Sequence, residues 1–255
     1  MYKILIYSAV VCCSQIENIA IEQIGDEITT SQILKDRIKT PENYTRVSND
    51  SNSFGYYLQH LPLKAEGSQV LLYNGEIKEN NNVYCAVVNM DIGTKDLQQC
   101  ADAVMRLRAE YLYQQKNYED IKFQFVNDSK WHTYKEYIKQ DFSYPKFRKY
   151  MEYVFNYANT ASLKKQLKPI PFNTMQIGDV LVQSGSPYGH AVIVVDICKN
   201  ELGEKQYLLA QSYMPAQETQ ILMNPNTLTP WYSKPSNSII KTPEWTFDTA
   251  DLRRF

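Results

Sequence analysis

A histidine directly after a glycine heads the most apolar run of the chain, within "GDVLVQSGSPYGHAVIVVDI" (178–197). Neutral imidazole takes up a proton near neutral pH, so His190 is a candidate general base. The turn "KNELGE" contains a glycine, which permits positive φ and folds the next strand back on this one. A turn centred just after Asn200 places Gln211 opposite His190, and a slip of one residue would place Ser212 there instead. An amide in that position would fix the tautomer of the imidazole and leave its other nitrogen free.

Cys100 is the candidate nucleophile that such a base would deprotonate. It lies in "KDLQQCADAVMRLRAEYLYQQK" (95–116), the clearest helical pattern in the chain. Asp96 is a natural N-cap and Gln99 completes a capping box, so Cys100 falls in the first turn. Positive potential at a helix N-terminus stabilises a thiolate, and the N–H groups there can bind an oxyanion. Thiol, imidazole and amide then have the roles of a nucleophile, a base and an orienting group.

Each of these residues also has a purely structural interpretation, and both interpretations remain open at this point. Cys100 belongs to the apolar period of its helix and is compatible with a small buried side chain. His190 is compatible with a core histidine, and Gln211 with an amide that satisfies backbone groups at a sheet edge. The apolar period of the helix consists of Leu97, Cys100, Ala101, Val104, Leu107 and Tyr111.

The elements that position these residues follow a clear order along the chain. The segments "QVLLYNGEI" and "VYCAVVNMDI" are predicted strands, paired through a turn at Asn74–Gly75, with Cys85 in the core. After the helix, residues 118–168 form an aromatic and basic insertion that Trp131 and "FRKYMEYVFNYA" anchor. The segments "DVLVQ", "HAVIVVDIC" and "KQYLLAQSYM" then read as antiparallel strands, and Cys198 is structural. "TPWYS" and "TPEWTF" are predicted to pack across this sheet, which gives an α+β fold.

Composition excludes several classes of function. The 255 residues carry a net charge of -1, which argues against a nucleic-acid partner, since such binders usually have a basic field. Only nine glycines are present, and none forms a phosphate-binding loop. Three scattered histidines and no cysteine pair at ligand spacing argue against a metal site. We therefore predict that the protein needs no metal and no cofactor.

The N-terminus has the features of an export signal. A short positive start precedes the apolar run "ILIYSAVVCC", which is too short to span a bilayer. Cys12 and Cys13 close this run, as a lipid-attached cysteine does in a lipoprotein signal; a first buried strand is the alternative. We predict a signal over residues 1–20, a polar arm or tether over 21–52, and a single α+β domain over 53–255. The expected location is the periplasm or the outer membrane, with membrane contact only through the lipid anchor.

Four segments resemble the NlpC-type cell-wall peptidases of the papain-like superfamily: "QQCADAVMRL", "IGDVLVQ", "GHAVIVVDI" and "LLAQSYM". The resemblance covers roughly residues 96–215. It implies a papain-like fold, in which a capped helix packs on an antiparallel sheet or partial barrel. It also implies a thiol protease or amidase with Cys100 as nucleophile, His190 as base and Gln211 as third residue. Tyr188, Ser212 and Tyr213 are the expected substrate contacts, with "MPAQ" as a wall of the groove.

Over the whole chain, the sequence is similar to an exported bacterial family known as domain of unknown function 4846. "FGYYLQHLPLK", "DLQQCADAVMRLRAEYLY", "GHAVIVVD", "LLAQSYMPAQ" and "TPEWTF" carry this likeness. Two functional hypotheses follow for an envelope protein of this kind. The first is a cysteine hydrolase that cleaves amide bonds of a cell-wall peptide or another peptide. The second is a catalytically inactive protein of the same fold that binds a peptide or a glycan, and a structural lipoprotein is a third possibility.

Overall fold

Short helices and strands alternate up to residue 183, and strands predominate after it. The structure is a computed structural model that describes residues 32–255. Its helices are α1 (Leu34–Arg37), α2 (Phe54–Gln59), α3 (Cys100–Gln114), α4 (Tyr134–Ile138), α5 (Tyr144–Tyr157) and α6 (Thr160–Gln166). The first strands are β1 (Thr45–Arg46), β2 (Tyr84–Val87), β3 (Lys122–Gln124), β4 (Trp131–Thr133), β5 (Lys168–Pro169), β6 (Val180–Gln183) and β7 (His190–Lys199). The remaining strands are β8 (Lys205–Gln211), β9 (Gln220–Leu222), β10 (Tyr232–Ser233), β11 (Ile239–Lys241), β12 (Thr246–Asp248) and β13 (Leu252–Arg254).

One antiparallel sheet forms the centre of the fold. Its strand order is β2-β9-β8-β7-β6-β13-β5, with β1 also paired to β7 and β10 also paired to β8. Hairpins join β6 to β7 and β7 to β8, because their connections are too short for a crossover. The prediction of a mixed α+β fold with an antiparallel sheet is therefore confirmed.

The central strand β7 is buried on both faces, which explains its almost continuous Val and Ile sequence. Ala191, Ile193 and Val195 pack with the helices in the larger core. Val192 and Val194 face a second core, on the side of the sheet that the C-terminal segment covers. The ring of His190 contacts Phe247 and Trp245 of that segment, so it projects to the second face.

The pairing of β7 with β8 differs from the register that the sequence predicted. Val194 lies opposite Leu209, two positions from the predicted pairing. A β-bulge between Val194 and Asp196 shifts the register by a further residue, so that Ile197 faces Tyr207. A shift of two preserves which residues share a face, because side chains alternate with a period of two. Gln211 and His190 therefore still lie on the same face, as diagonal neighbours rather than as a directly opposed pair.

The second half of the predicted polar arm belongs to the folded part of the chain. Leu34 is fully buried and β1 pairs with the end of β7. Arg46 donates through Nε to Asp196 at 2.6 Å, where the carboxylate is fully buried. The boundary at residue 52 was thus placed too late, because the polar composition of this segment hides the few apolar residues that anchor it.

Residues 118–168 form a hairpin, β3–β4, followed by α4, α5 and α6. Tyr134, Phe147 and Tyr150 are fully buried at the centre of an aromatic cluster, and α5 coincides with "FRKYMEYVFNYA". Trp131 is 46% exposed, so it does not anchor the segment as predicted.

Three other predictions fail around β2. "QVLLYNGEI" forms no strand but only isolated bridges, at Leu71 with Ile77 and at Leu72 with Gln217. The second predicted strand is present as β2, but it pairs with β9 instead. Cys85 in this strand is exposed rather than buried in the core. Cys198 at the end of β7 is buried, in line with a structural role.

The predicted signal over residues 1–20, with Cys12 and Cys13, lies outside the described residues. Within residues 32–255, no helix is both long enough and apolar enough to cross a membrane.

Candidate active site

Cys100 is the first residue of α3. Gln99 is the N-cap, and its backbone N–H donates to the Asp102 Oδ2 at 3.1 Å, which forms part of a capping box. The prediction of Asp96 as N-cap is wrong, because its carboxylate accepts from Ala216 N at 2.7 Å and from the Gln99 side chain at 3.0 Å. The helix therefore begins one turn later than predicted. The thiol lies at the point where the N-terminal N–H groups have no intrahelical acceptor.

The thiol contacts the beginning of β7. Cys100 Sγ lies 4.0 Å from the carbonyl oxygen of Gly189, the residue before His190, and the backbone N–H of Ala191 also faces the sulfur. The C=O and N–H of alternate residues point to the same edge of a strand. The sulfur thus lies at the edge of β7, level with His190. At this end of β7, β8 no longer pairs with it. The Cys100 residue is only 5% exposed.

His190 is fully buried and has one occupied and one unoccupied ring nitrogen. Its Nε2 lies 2.8 Å from Gln211 Oε1. Its Nδ1 has no hydrogen-bond partner among the described residues. The rings of Tyr213, Trp245 and Phe247 surround the imidazole at centroid distances of 4.9, 5.3 and 5.8 Å. The sequence-predicted pair of His190 and Gln211 is thus in contact, inside an aromatic enclosure.

Two charged residues behind Gln211 were missed by the sequence reasoning. Gln211 Nε2 donates to Glu244 Oε2 at 2.7 Å, and Lys78 Nζ lies 2.7 Å from Glu244 Oε1. The Lys78 and Glu244 side chains are only 6% and 10% exposed. The segment "TPEWTF" was singled out as covering the sheet, but no local pattern distinguishes its glutamate from the other acidic residues.

Burial determines the resting protonation states of the thiol and the imidazole. It raises the pKa of Cys100 to about 11, and the Asp102 carboxylate contributes in the same direction. The N–H groups of Ala101 and Ala191 oppose this shift without cancelling it. Burial also lowers the pKa of His190 to about 4, with a further contribution from the Lys78 charge and an opposing one from Gln211. At neutral pH the site therefore holds a protonated thiol and a neutral imidazole.

A groove of about 340 Å³ lies against the start of α3 and includes Cys100 in its lining. Its other walls come from Asn159 and Thr160 at the start of α6, and from Tyr188 and Met214. Tyr188 is 63% exposed, so a ligand in the groove can reach its ring. Asp96 and Asp102 also line the groove, so amide, hydroxyl, phenol and carboxyl groups lie beside apolar walls, which is compatible with a peptide.

The other two predicted substrate contacts are not available to a ligand in the same way. Ser212 is fully buried, and its Oγ lies 2.6 Å from Gln217 O and 3.2 Å from Gln98 O. Its hydroxyl proton is therefore used inside the protein. Tyr213 packs against His190, and its OH donates to the backbone oxygen of Glu244 at 3.4 Å. Both residues support the site instead of lining the groove.

Within residues 32–255, no three His, Cys, Asp or Glu side chains converge in a way that would hold a metal ion.

Comparisons with known proteins give one family assignment. No curated protein and no solved structure matches the chain. A family model described as "Domain of unknown function (4846)" matches residues 34–254. This range includes α3, β7, β8 and the segment that carries Glu244, so it covers every residue of the candidate site. The chain belongs to this family of domain of unknown function 4846.

Proposed function

We propose that the protein is an exported cysteine hydrolase of papain-like, NlpC-type fold that cleaves amide bonds in cell-wall peptides. The observation that supports this most directly is the position of the Cys100 thiol at the start of α3 and the edge of β7, level with His190. The free Nδ1 of His190 and the Gln211 contact at its Nε2 complete a nucleophile, base and orienting group. The substrate class and the papain-like fold rest on the sequence resemblance, and the groove beside Cys100 is compatible with a peptide.

At rest the Cys100 thiol makes no hydrogen bond to Nδ1 of His190, so in the proposed reaction it first turns toward the imidazole. The sulfur then attacks the carbonyl carbon while its proton passes to Nδ1. The tetrahedral intermediate collapses, the C–N bond breaks, and the imidazolium gives its proton to the leaving amine. A thioester remains on Cys100. Water then attacks the thioester, again losing a proton to His190, and the carboxylic acid leaves as the thiol is restored. The backbone N–H groups at the start of α3 are placed to stabilise the oxyanion.

The protonation states imply that proton transfer accompanies the attack. Because the thiol is protonated and the imidazole neutral at rest, there is no preformed ion pair. The imidazole then acts as a general base in the attack step, and general-base catalysis typically contributes about 10²–10⁴-fold. The groove must also widen for a substrate carbonyl to reach a thiol that is 5% exposed.

A turnover assay on soluble cell-wall fragments tests the proposal. We expect the wild-type protein to release new amino groups and Cys100→Ala to lose at least about 100-fold in rate. Cys85→Ser is the matched control, because Cys85 is exposed on β2 and does not line the groove beside Cys100. It should retain full activity. Mass spectrometry of the fragments identifies the bond that is cleaved, and undiminished turnover by Cys100→Ala would exclude the mechanism.

The low exposure of Cys100 and the raised pKa of its thiol favour a second candidate function, an inactive relative that binds a peptide or glycan in the same groove. It predicts that fragments bind to the wild type and to Cys100→Ser with equal affinity and that neither protein turns them over. Isothermal titration with the same fragments distinguishes this outcome from catalysis.

The N-terminal residues support export, with a lipid anchor at Cys12 or Cys13 as part of the proposal. Labelling of expressing cells with a palmitate analogue, in wild type and in a double Cys12→Ala, Cys13→Ala variant, tests the anchor. Label that persists in the double variant would exclude it.

A further inference from the structure

A chain of four polar side chains runs from Lys78 to the imidazole of His190. Lys78 Nζ lies 2.7 Å from Glu244 Oε1, Glu244 Oε2 accepts from Gln211 Nε2 at 2.7 Å, and Gln211 Oε1 lies 2.8 Å from His190 Nε2. Resting on the proposed function, we propose that Glu244 is a positioning residue that sets the tautomer of His190 through Gln211.

The direction of every hydrogen bond in this chain follows from the carboxylate. An ionised carboxylate has only acceptors, so the Gln211 group that faces Glu244 must be its NH₂. The amide oxygen of Gln211 must then face His190. An amide oxygen only accepts, so Nε2 of His190 must carry the ring proton. In neutral imidazole the other nitrogen is then unprotonated, which leaves Nδ1 as the base.

The position of Nδ1 agrees with this assignment. It is buried and has no hydrogen-bond partner among the described residues, so no other group competes to set the tautomer. A proton on Nδ1 would leave a buried donor unsatisfied, whereas a lone pair there is available to accept a proton from a thiol. Both considerations favour the tautomer that Glu244 imposes.

Glu244 is itself held at several points. Its Oε1 pairs with Lys78 and also accepts from Asn80 Nδ2 at 3.3 Å. Its backbone oxygen accepts from the Tyr213 hydroxyl at 3.4 Å, and the neighbouring Trp245 donates through Nε1 to Gln183 at 2.9 Å. Charge-assisted hydrogen bonds of this kind are stronger than neutral ones. The carboxylate therefore has a defined position that an amide in its place would not reproduce.

Glu244→Gln replaces the carboxylate with a group of the same size that both donates and accepts. The Gln211 amide is then free to rotate and present its NH₂ to the imidazole, which requires an unprotonated Nε2 and a proton on Nδ1. In that tautomer His190 cannot take a proton from Cys100. The expected effect on turnover is a fall in kcat of about 100-fold with KM little changed, because the groove is not altered.

The test reads the tautomer directly by nitrogen NMR of protein labelled with ¹⁵N-histidine at neutral pH. The chain has three histidines, and loss of one resonance pair in His190→Gln assigns the signals of interest. We expect wild-type His190 to show a protonated Nε2 and a bare Nδ1, and Glu244→Gln to show a mixture of tautomers. Glu244→Asp, which keeps the charge, should restore most of the wild-type pattern.

Glu218→Gln is the matched control, because Glu218 is also paired to a lysine and its side chain is equally exposed, at 10%. It should leave the His190 signals unchanged. A proton on Nδ1 in the wild type, or an unchanged tautomer in Glu244→Gln, overturns the proposal. Once His190→Gln has assigned the signals, the wild-type spectrum needs no Glu244 variant and no substrate. It therefore tests the predicted tautomer even if Glu244→Gln fails to fold or the protein proves not to be a hydrolase.

Discussion

At the scale of single residues, the enclosure of His190 makes the folded state less stable at acidic pH. Burial against three aromatic rings lowers the pKa of His190 from its ordinary value of 6.5 to about 4. Between these two values the unfolded chain binds a proton at this position and the folded chain does not. The free energy of unfolding therefore decreases as the pH falls from about 6.5 to about 4, and it changes no further from this group at lower pH.

His190→Gln should remove this acid sensitivity. We expect the wild type to lose about 3 kcal/mol more unfolding free energy than the variant between pH 7 and pH 4, from the difference between the folded and unfolded pKa values. Urea titrations of both proteins at the two pH values measure the difference. Other titrating groups contribute equally to both proteins and cancel. Equal losses in wild type and variant would show that the imidazole is not kept neutral by burial.

How far the sequence predicts this site depends on how many residues separate the two partners of each contact along the chain. The pairing of His190 with Gln211 follows from a hairpin, in which a register error of two leaves the shared face intact. The contact of Gln211 with Glu244 depends on how the C-terminal segment closes over the sheet, for which the sequence has no local signal. The N-cap was predicted wrongly for the same reason, since Ala216, 120 residues away, uses the Asp96 carboxylate.

At the scale of elements, the connection from β6 to β7 packs against Cys100. Gly189 is buried in it, and its carbonyl oxygen lies 4.0 Å from Cys100 Sγ. A Cβ at Gly189 would lie 2.2 Å from Gln183 O and 2.5 Å from Thr160 Oγ1, closer than atoms can approach. The absence of a side chain there allows the connection to pack against both β6 and α6.

Gly189→Ala should therefore displace this connection. We expect the free energy of unfolding to fall by about 1–3 kcal/mol, the usual range for overpacking, and Cys100 to react faster with iodoacetamide. Both proteins need a Cys85→Ser background, since Cys85 is exposed and would also react. Ser184→Ala, an exposed change in the same connection, is the control. If Gly189→Ala and Ser184→Ala behave alike in both assays, the close packing at Gly189 is not required.

The β-bulge in β7 is a feature that the sequence pattern does not predict. The almost continuous Val and Ile run of β7 predicts a strand, but the bulge near Val195 changes which residues face each core. As a result Cys198 faces the helices while Ile197 faces the second core. A bulge requires no particular residue type. The sequence therefore predicts the strand but not the point at which its side chains exchange faces.

At the scale of the whole molecule, the last strand completes the central sheet. β13 lies between β6 and β5, with Leu252 opposite Leu181 and Arg254 paired with the buried Asp179 at 2.7 Å. Leu252 is fully buried in the second core, together with Phe247, which stacks on His190. The second core, which contacts the imidazole, thus includes residues from the C-terminal segment, Phe247 and Leu252.

Leu252→Ala should destabilise the fold by about 2–5 kcal/mol, because it removes a fully buried side chain and leaves a cavity beside Phe247. Leu202→Ala is the control, since Leu202 is 84% exposed in the turn after β7 and its loss should cost less than about 0.5 kcal/mol. Thermal and urea unfolding of the two variants give the comparison. A similar effect of the two changes would contradict a central role for the last strand.

The ion pair of Lys78 with Glu244 joins residues 166 positions apart. During synthesis, Cys100 and His190 therefore leave the ribosome before Glu244, the carboxylate that we propose orients the imidazole. Long-range contacts of this kind form late, after the loops between them have closed. In a nascent chain, the hydrogen-bonded alignment of His190 that we propose is therefore absent until the C-terminal segment closes over the sheet.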